Sequence, residues 1–125
     1  MFSSHISDIG IAVPTWLSSR LVSSEAFSSS EDILAKLIQT NNTVISCGMS
    51  IVGGGVINDG DPDSTGLNPQ WRRDVLAVWG YTGTWSYEIP TEDIKTIKEQ
   101  VTNLTQRVGE IAGLDHASYF NEADP

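Results

Sequence analysis

The sequence predicts an α+β fold, in which an antiparallel sheet carries its helices on one face. The C-terminal half contains a long amphipathic helix pattern, and other segments are rich in β-branched and aromatic residues, which favour strands. The predicted order is strand, helix, strand, strand, helix and loop. Because strands and helices do not alternate regularly, this order argues against a parallel α/β fold.

The first strand and the first helix are predicted from two adjoining segments. Residues 11–22 mix apolar and small polar residues with a proline, which a strand accepts at a sheet edge. The segment SSSEDILAKLIQ then has a capping box, formed by Ser28 and Glu31, which predicts a helix start. The apolar face of this helix would consist of Ile33, Leu34, Leu37 and Ile38.

Two further strands are predicted over about residues 44–57 and 74–86, because Val, Ile, Trp and Tyr are frequent there. Gly48 and the glycines at 53–55 interrupt the first of them. Glycine inside a strand indicates either a bulged or twisted strand, or a place where a ligand approaches the backbone. The sequence leaves both alternatives open.

The segment DGDPDS, residues 59–64, has the alternating acids of a calcium loop. The twelfth position of such a loop requires Glu, and here it is Gln70. We therefore expect an acidic turn that contains a proline.

The last helix is predicted over residues 91–112. Thr91 is expected to cap it, Glu92 and Asp93 complement the helix dipole in the first turn, and Gly113 is suited to end it. Apolar residues recur there at spacings of three and four, which places them on one stripe facing the sheet: Ile94, Ile97, Val101, Leu104, Val108 and Ile111.

Composition excludes several classes of function. The chain has 125 residues, enough for one domain, and its formal net charge of −9 argues against nucleic acid or an anionic membrane as partner. It contains no apolar run long enough to span a membrane and no signal-peptide pattern at its start. The Asn-x-Thr triplets at residues 41–43 and 103–105 are the only indication of secretion, so localisation stays open.

The side chains that usually carry catalysis or metal binding are sparse. Cys47 is the single cysteine and lies in an apolar strand segment, which predicts a buried, inert thiol. His5 and His116 are too few and too far apart to indicate a metal site. CGMSIVGGG is neither a phosphate-binding loop nor a dinucleotide-binding turn, and no serine lies in a Gly-x-Ser-x-Gly motif.

The final segment, ASYFNEADP, is the strongest candidate for a site. Tyr119 and Asn121 share one face if this segment is extended. A phenol beside a substrate can act as a base when its pKa is lowered, and an amide can hold the polar edge of a ligand. The alternative is a capped surface turn.

Two motifs carry a resemblance to a known family. TGLNPQWRRDVLAV and SYFNEADP resemble the C-terminal portion of the berberine bridge enzyme-like FAD-linked oxidases, particularly fungal members. VGGGVINDGDPDSTGLNPQWR is similar to the long substrate-domain strand of that family and the turn after it, and PTWLSSRLV is similar to an earlier strand. The resemblance covers roughly residues 11–125.

The resemblance implies a two-part oxidoreductase, in which a C-terminal α+β domain lays its sheet over the ring of an FAD held by an N-terminal domain. It implies that Tyr119 is catalytic beside the substrate and that Asn121 helps to bind the cofactor. The surface of the sheet that faces the flavin is expected to be exposed in this chain. The candidate members of that surface are Met49, Ile51, Trp79, Tyr81 and Trp85, of which Met49, Trp79 and Tyr81 are the predicted substrate-binding residues.

The chain also departs from the family. Residues 1–125 are expected to form one partial domain without the FAD-binding half. Residues 75–81 are apolar or, at Gly80, glycine, where plant-type members carry an acid-base residue, and this leaves Tyr119 as the candidate base. Both predicted helix starts carry acids, at 31–32 and 92–93, which repel phosphate, so we expect no FAD to bind this chain alone.

Three functions remain open from the sequence, and so does the question whether the chain alone is an enzyme. The first is the substrate side of a flavin site, inactive without the FAD domain. The second is a stand-alone, cofactor-free isomerase, cyclase or binding protein for a small metabolite. The third is a subunit that completes a flavin site in another chain. The expected partners are a small-molecule substrate and either an FAD-binding domain or a second copy at the exposed sheet face.

Overall fold

The computed structural model describes residues 13–30, 32, 35–36, 44–57, 59–64, 66, 71, 74–114, 117–119 and 122–123. The helices and strands within these ranges are β1 (Thr15–Ser23), α1 (Ser24–Ser29), β2 (Ile45–Ile51), β3 (Val75–Thr84) and α2 (Thr91–Ile111). Two short 3-10 turns, Gly55–Ile57 and Pro62–Ser64, lie between β2 and β3. No helix in these ranges is long and apolar enough to cross a membrane.

The described strands form one antiparallel sheet in the order β1-β3-β2. The predicted α+β class is therefore confirmed. The first predicted strand begins at Thr15, after Pro14, and β1 lies at the edge of the described sheet. Pairing of β2 with β3 runs from Ile45 opposite Gly83 to Ile51 opposite Ala77 without a shift.

Helix α2 packs on one face of the sheet, against β1 and β3. We call this the helix face. Side chains alternate between the two faces along a strand, so every second residue of β3 lies there. The main core forms between the helix face and α2, and its buried members include Val22, Ile45, Trp79, Tyr81, Ile97, Val101 and Val108.

The opposite face, which we call the open face, is only partly covered. A second cluster of buried residues, Leu21, Val75 and Leu114, lies at one end of the sheet and is completed by Trp71 and Ala117. After α2 the chain runs beside β1, where the amide of Leu21 donates to the carbonyl of Ala117 at 2.7 Å. The rest of the open face carries a groove.

Strand β2 is shorter than predicted, because it ends at Ile51 rather than near residue 57. The next residues turn: Gly54 and Gly55 have φ values of 91° and 54°, in the left-handed region that favours glycine. A side chain at Gly53 would overlap the carbonyl oxygen of Val75. The glycines at 53–55 therefore serve a turn and a close approach of two backbones.

Both predicted helix caps were wrong. Ser28 lies inside α1, where its hydroxyl donates to the Ser24 carbonyl at 3.0 Å. Ser23 caps α1, and its hydroxyl accepts from the Ala26 amide at 3.1 Å. Within the segment predicted as the first helix, residues 32, 35 and 36 are helical. At the start of α2 the cap position is Pro90, without a side-chain hydrogen bond, so Thr91 is the first helical residue. Glu31 lies outside the described residues. So do the four residues of the predicted apolar face, Ile33, Leu34, Leu37 and Ile38.

The predicted end of α2 and the predicted acidic turn are confirmed. Ala112 is the C-cap of α2, and Gly113 follows it with a φ of 74°. In the acidic turn, the side chain of Asp61 accepts a hydrogen bond from the Asp63 amide at 2.9 Å. The Asp61 carbonyl also accepts one from the Ser64 amide at 3.0 Å.

Candidate ligand-binding groove

The open face carries a groove of about 260 Å³. All three strands and the C-terminal segment contribute to its wall. Its described lining residues are Leu17, Gly48, Met49, Ser50, Val78, Gly80, Thr82 and Glu122.

A pair of glycines forms the floor of the groove. Gly48 of β2 lies directly opposite Gly80 of β3, so both positions present bare backbone to the same face. A β-carbon built at Gly48 would meet nothing within 4 Å. Because the register of β2 and β3 is unbroken here, Gly48 does not mark a bulge. The other expectation for a glycine inside a strand, a ligand that lies close to the backbone, fits this position.

The row of small residues continues into β1. Ser19 lies opposite Gly80, and a β-carbon at Gly80 would approach that of Ser19 to 3.4 Å. The Ser19 hydroxyl is buried, and it has no hydrogen-bond partner among the described residues. A strip of Ser19, Gly80 and Gly48 therefore crosses the sheet. Ser19 is fully buried, so only the part at Gly80 and Gly48 is open to a flat molecule.

Polar groups lie on both sides of this strip. Ser50 and Thr82 supply hydroxyls, and Glu122 is the one charged side chain among the described lining residues. Glu122 is placed by a turn in which its amide donates to the carbonyl of Tyr119 at 2.9 Å. The groove can therefore hold a planar ligand by its face and bind polar atoms on its rim.

The structure separates the predicted substrate-binding residues. Met49 borders the groove and is 43% exposed, although it lies opposite Trp79 and its side chain therefore belongs to the helix face. Trp79 and Tyr81 are 1% and 0% exposed and lie in the core under α2. The expectation that these two belong to an exposed sheet surface was wrong, because their positions in β3 point to the helix face.

Trp85, another expected member of the exposed surface, is only partly buried against the main core. The ammonium of Lys98, on α2, lies 5.8 Å from the centre of its ring and 4.2 Å from that of Trp16. Trp85 therefore contributes to the contact between α2 and the sheet.

Tyr119, the predicted catalytic residue, is 39% exposed and lies beside the second cluster. Its ring meets that of Trp71 edge to face, with the ring centres 6.2 Å apart and the planes at 83°. It is not among the described lining residues of the groove, whereas Glu122, three positions later, is. Asn121, the predicted cofactor-binding residue, lies outside the described residues.

Cys47 lies on the helix face, opposite Tyr81. Burial raises the pKa of its thiol, and a hydrogen bond with Tyr81 acts in the opposite direction. The net upward direction keeps the thiol protonated at neutral pH, which agrees with an inert cysteine. The part of the chain that the structure describes contains no group of three or more His, Cys, Asp or Glu residues that could hold a metal, and both histidines lie outside it.

Six of the lining residues were not predicted as site residues from the sequence: Leu17, Ser50, Val78, Gly80, Thr82 and Glu122. A signal existed for Gly80, which is a glycine inside a predicted strand, and for Glu122, which lies in the C-terminal motif. The signal was incomplete because a single sequence does not reveal which residues of two strands lie opposite each other.

Comparisons of the chain with protein-family models, with curated proteins and with solved structures gave no match. The resemblance to the berberine bridge enzyme-like oxidases therefore rests on the sequence motifs alone.

Proposed function

We propose that this chain forms the substrate side of a flavin site in an FAD-dependent oxidoreductase of the berberine bridge enzyme-like kind. The observation that carries the proposal is the Gly48–Gly80 floor on the open face. An antiparallel sheet with helices behind it and bare backbone in front suits a flat substrate held over a flavin ring. The motifs in residues 65–78 and 118–125 independently support the same family.

The groove is smaller than a pocket that encloses a small ligand. Its volume of about 260 Å³ lies just below the roughly 300–1,000 Å³ usual for pockets that enclose small ligands. A second domain laid over the open face would close it, and the natural partner in this proposal is an FAD-binding domain. Tyr119 as proton acceptor and Asn121 as cofactor contact belong to that completed site and rest on the resemblance.

The chain alone is proposed to bind FAD no more tightly than the roughly millimolar range. Tight binding of a pyrophosphate needs backbone amide groups at a helix start without acidic residues, or at a glycine-rich turn. Both described helices carry acids in their first turn: Glu25 in α1, and Glu92 and Asp93 in α2. A ring without phosphates is therefore the better probe of the groove.

The test is a titration of the chain with lumiflavin, the flavin ring without its phosphate tail, followed by amide chemical shifts in NMR. We expect shifts at Gly48, Gly80 and Thr82 at millimolar lumiflavin. Gly48→Leu should abolish them, because its side chain would project into the groove where nothing lies within 4 Å. Gly60→Leu is the matched control, since a β-carbon in that exposed turn also meets nothing within 4 Å.

The proposal is overturned if the shifts are absent, or if they spread over the surface without centring on the two glycines. It is equally overturned if folded Gly48→Leu protein responds to lumiflavin as the Gly60→Leu protein does.

A further inference from the structure

We infer that Glu122 selects the ligands of the groove by charge. The groove favours planar ligands whose polar end is uncharged or positively charged, and it binds those that carry a carboxylate or a phosphate there more weakly. This inference rests on the proposed function, because it concerns the same groove and names the class of molecule that the groove accepts.

The first support is the charge of the lining. The described lining residues contain one acid, Glu122, and no lysine or arginine. Arg20 of β1 lies opposite Trp79 of β3, so its side chain is on the helix face. Its guanidinium donates to the carbonyl of Ser19 at 2.8 Å. Lys98 lies on α2 over the ring of Trp16. These two cations therefore lie on the other side of the sheet.

The second support is the way Glu122 is held. The segment before it is tied to β1 by the hydrogen bond from the Leu21 amide to Ala117, and Tyr119 packs on Trp71. The amide of Glu122 then donates to the carbonyl of Tyr119. Because the backbone of Glu122 is already held beside the groove, pairing with a ligand cation has to order only its side chain.

The third support is the repulsion between Glu122 and a negatively charged ligand. A ligand carboxylate placed beside Glu122 meets a like charge and finds no cation among the described lining residues to compensate it. Because Glu122 is half-buried and solvent still screens it, the effect per unit of charge is modest, roughly three- to fivefold in affinity.

The experiment compares three probes that share one indole ring: tryptamine, which is a cation, tryptophol, which is neutral, and indole-3-acetate, which is an anion. Each is titrated into the full chain, and the amide shifts of Gly48 and Gly80 report occupancy of the groove. We expect affinity to fall from tryptamine to tryptophol to indole-3-acetate, by roughly three- to fivefold at each step.

Glu122→Gln keeps the size and shape of the side chain and removes its charge, and it should bring the three affinities to within about twofold of each other. The whole chain carries a net charge of −9 and would attract any cation weakly. Glu110→Gln, on the exposed side of α2, makes the same change in net charge away from the groove and should leave the order intact.

Equal affinities for the three probes, with shifts still centred on Gly48 and Gly80, would overturn the charge selection and leave the groove as a site. The same conclusion follows if Glu110→Gln changes the order as much as Glu122→Gln does. If neither lumiflavin nor any indole shifts these amides, the inference and the proposed function fail together.

Discussion

Gly83 lies in β3 at the point where α2 comes closest to the sheet. A β-carbon at this position would lie 2.5 Å from Cγ2 of Ile97 and 3.1 Å from Cγ2 of Val101. Both neighbours are β-branched, so their side chains have few other rotamers to adopt in a helix. The distance between α2 and the sheet is therefore set by a residue that has no side chain.

We predict that Gly83→Ala lowers the free energy of unfolding by about 1–3 kcal/mol, because overpacking forces α2 or its side chains to move. Urea unfolding followed by circular dichroism measures this. Gly48→Ala is the control within the same sheet, since its β-carbon meets nothing within 4 Å, and it should change stability by less than about 0.5 kcal/mol. Equal losses in both variants would contradict the argument.

At the scale of the element, the apolar stripe of α2 includes one polar residue. Thr105 is fully buried between Val101 and Val108, which are also fully buried. Its hydroxyl donates to the carbonyl of Val101 at 2.9 Å, so this buried polar group has a hydrogen-bond partner within the helix. The stripe therefore stays continuous from Ile97 to Val108.

We predict that Val101→Ala lowers the free energy of unfolding by about 2 kcal/mol, from the lost burial of two methyl groups and the cavity that they leave. Asn103→Ala changes an exposed residue of the same helix and should stay within about 0.5 kcal/mol of the wild type. If α2 were held only weakly to the sheet, the two variants would unfold at the same urea concentration.

At the scale of the whole molecule, α2 covers β1 and β3 but leaves one end of β2 bare. Ile51 is 61% exposed, and Met49 is also exposed, although both share the helix face with the buried Tyr81. Strand β2 is at the edge of the described sheet and contains no charged residue. Uncharged edge strands with apolar side chains favour association between copies of a chain.

We therefore predict that the isolated chain self-associates, and that the apparent mass in sedimentation equilibrium rises with concentration. Ile51→Thr should weaken this association, because it keeps a β-branched shape and removes apolar surface from the edge. Val56→Thr is the matched control: Val56 is 85% exposed but lies in the turn after β2. A wild-type chain that stays monomeric at every concentration would refute the prediction, and so would equal effects of the two substitutions.

The sequence by itself determined the features of this protein that depend on neighbouring residues. The stripe of α2 follows from spacings of three and four, and Gly113 ends that helix because it accepts a positive φ. The strands follow from runs of β-branched and aromatic residues, and the acidic turn follows from the short reach of the Asp61 side chain. Even here the caps at Ser28 and Thr91 were misplaced. Several serines compete for a cap around Ser28, and at the start of α2 the cap position is taken by Pro90, so Thr91 is already helical.

Only the tertiary structure decided which residues meet in the groove. Gly48 and Gly80 are far apart in sequence and face each other because of the register between β2 and β3. A shift of one residue would have turned Trp79 and Tyr81 to the open face, where the sequence analysis had placed them. Register and face depend on contacts between distant segments, chiefly on where α2 buries its apolar stripe, and no local pattern in a single sequence contains that information.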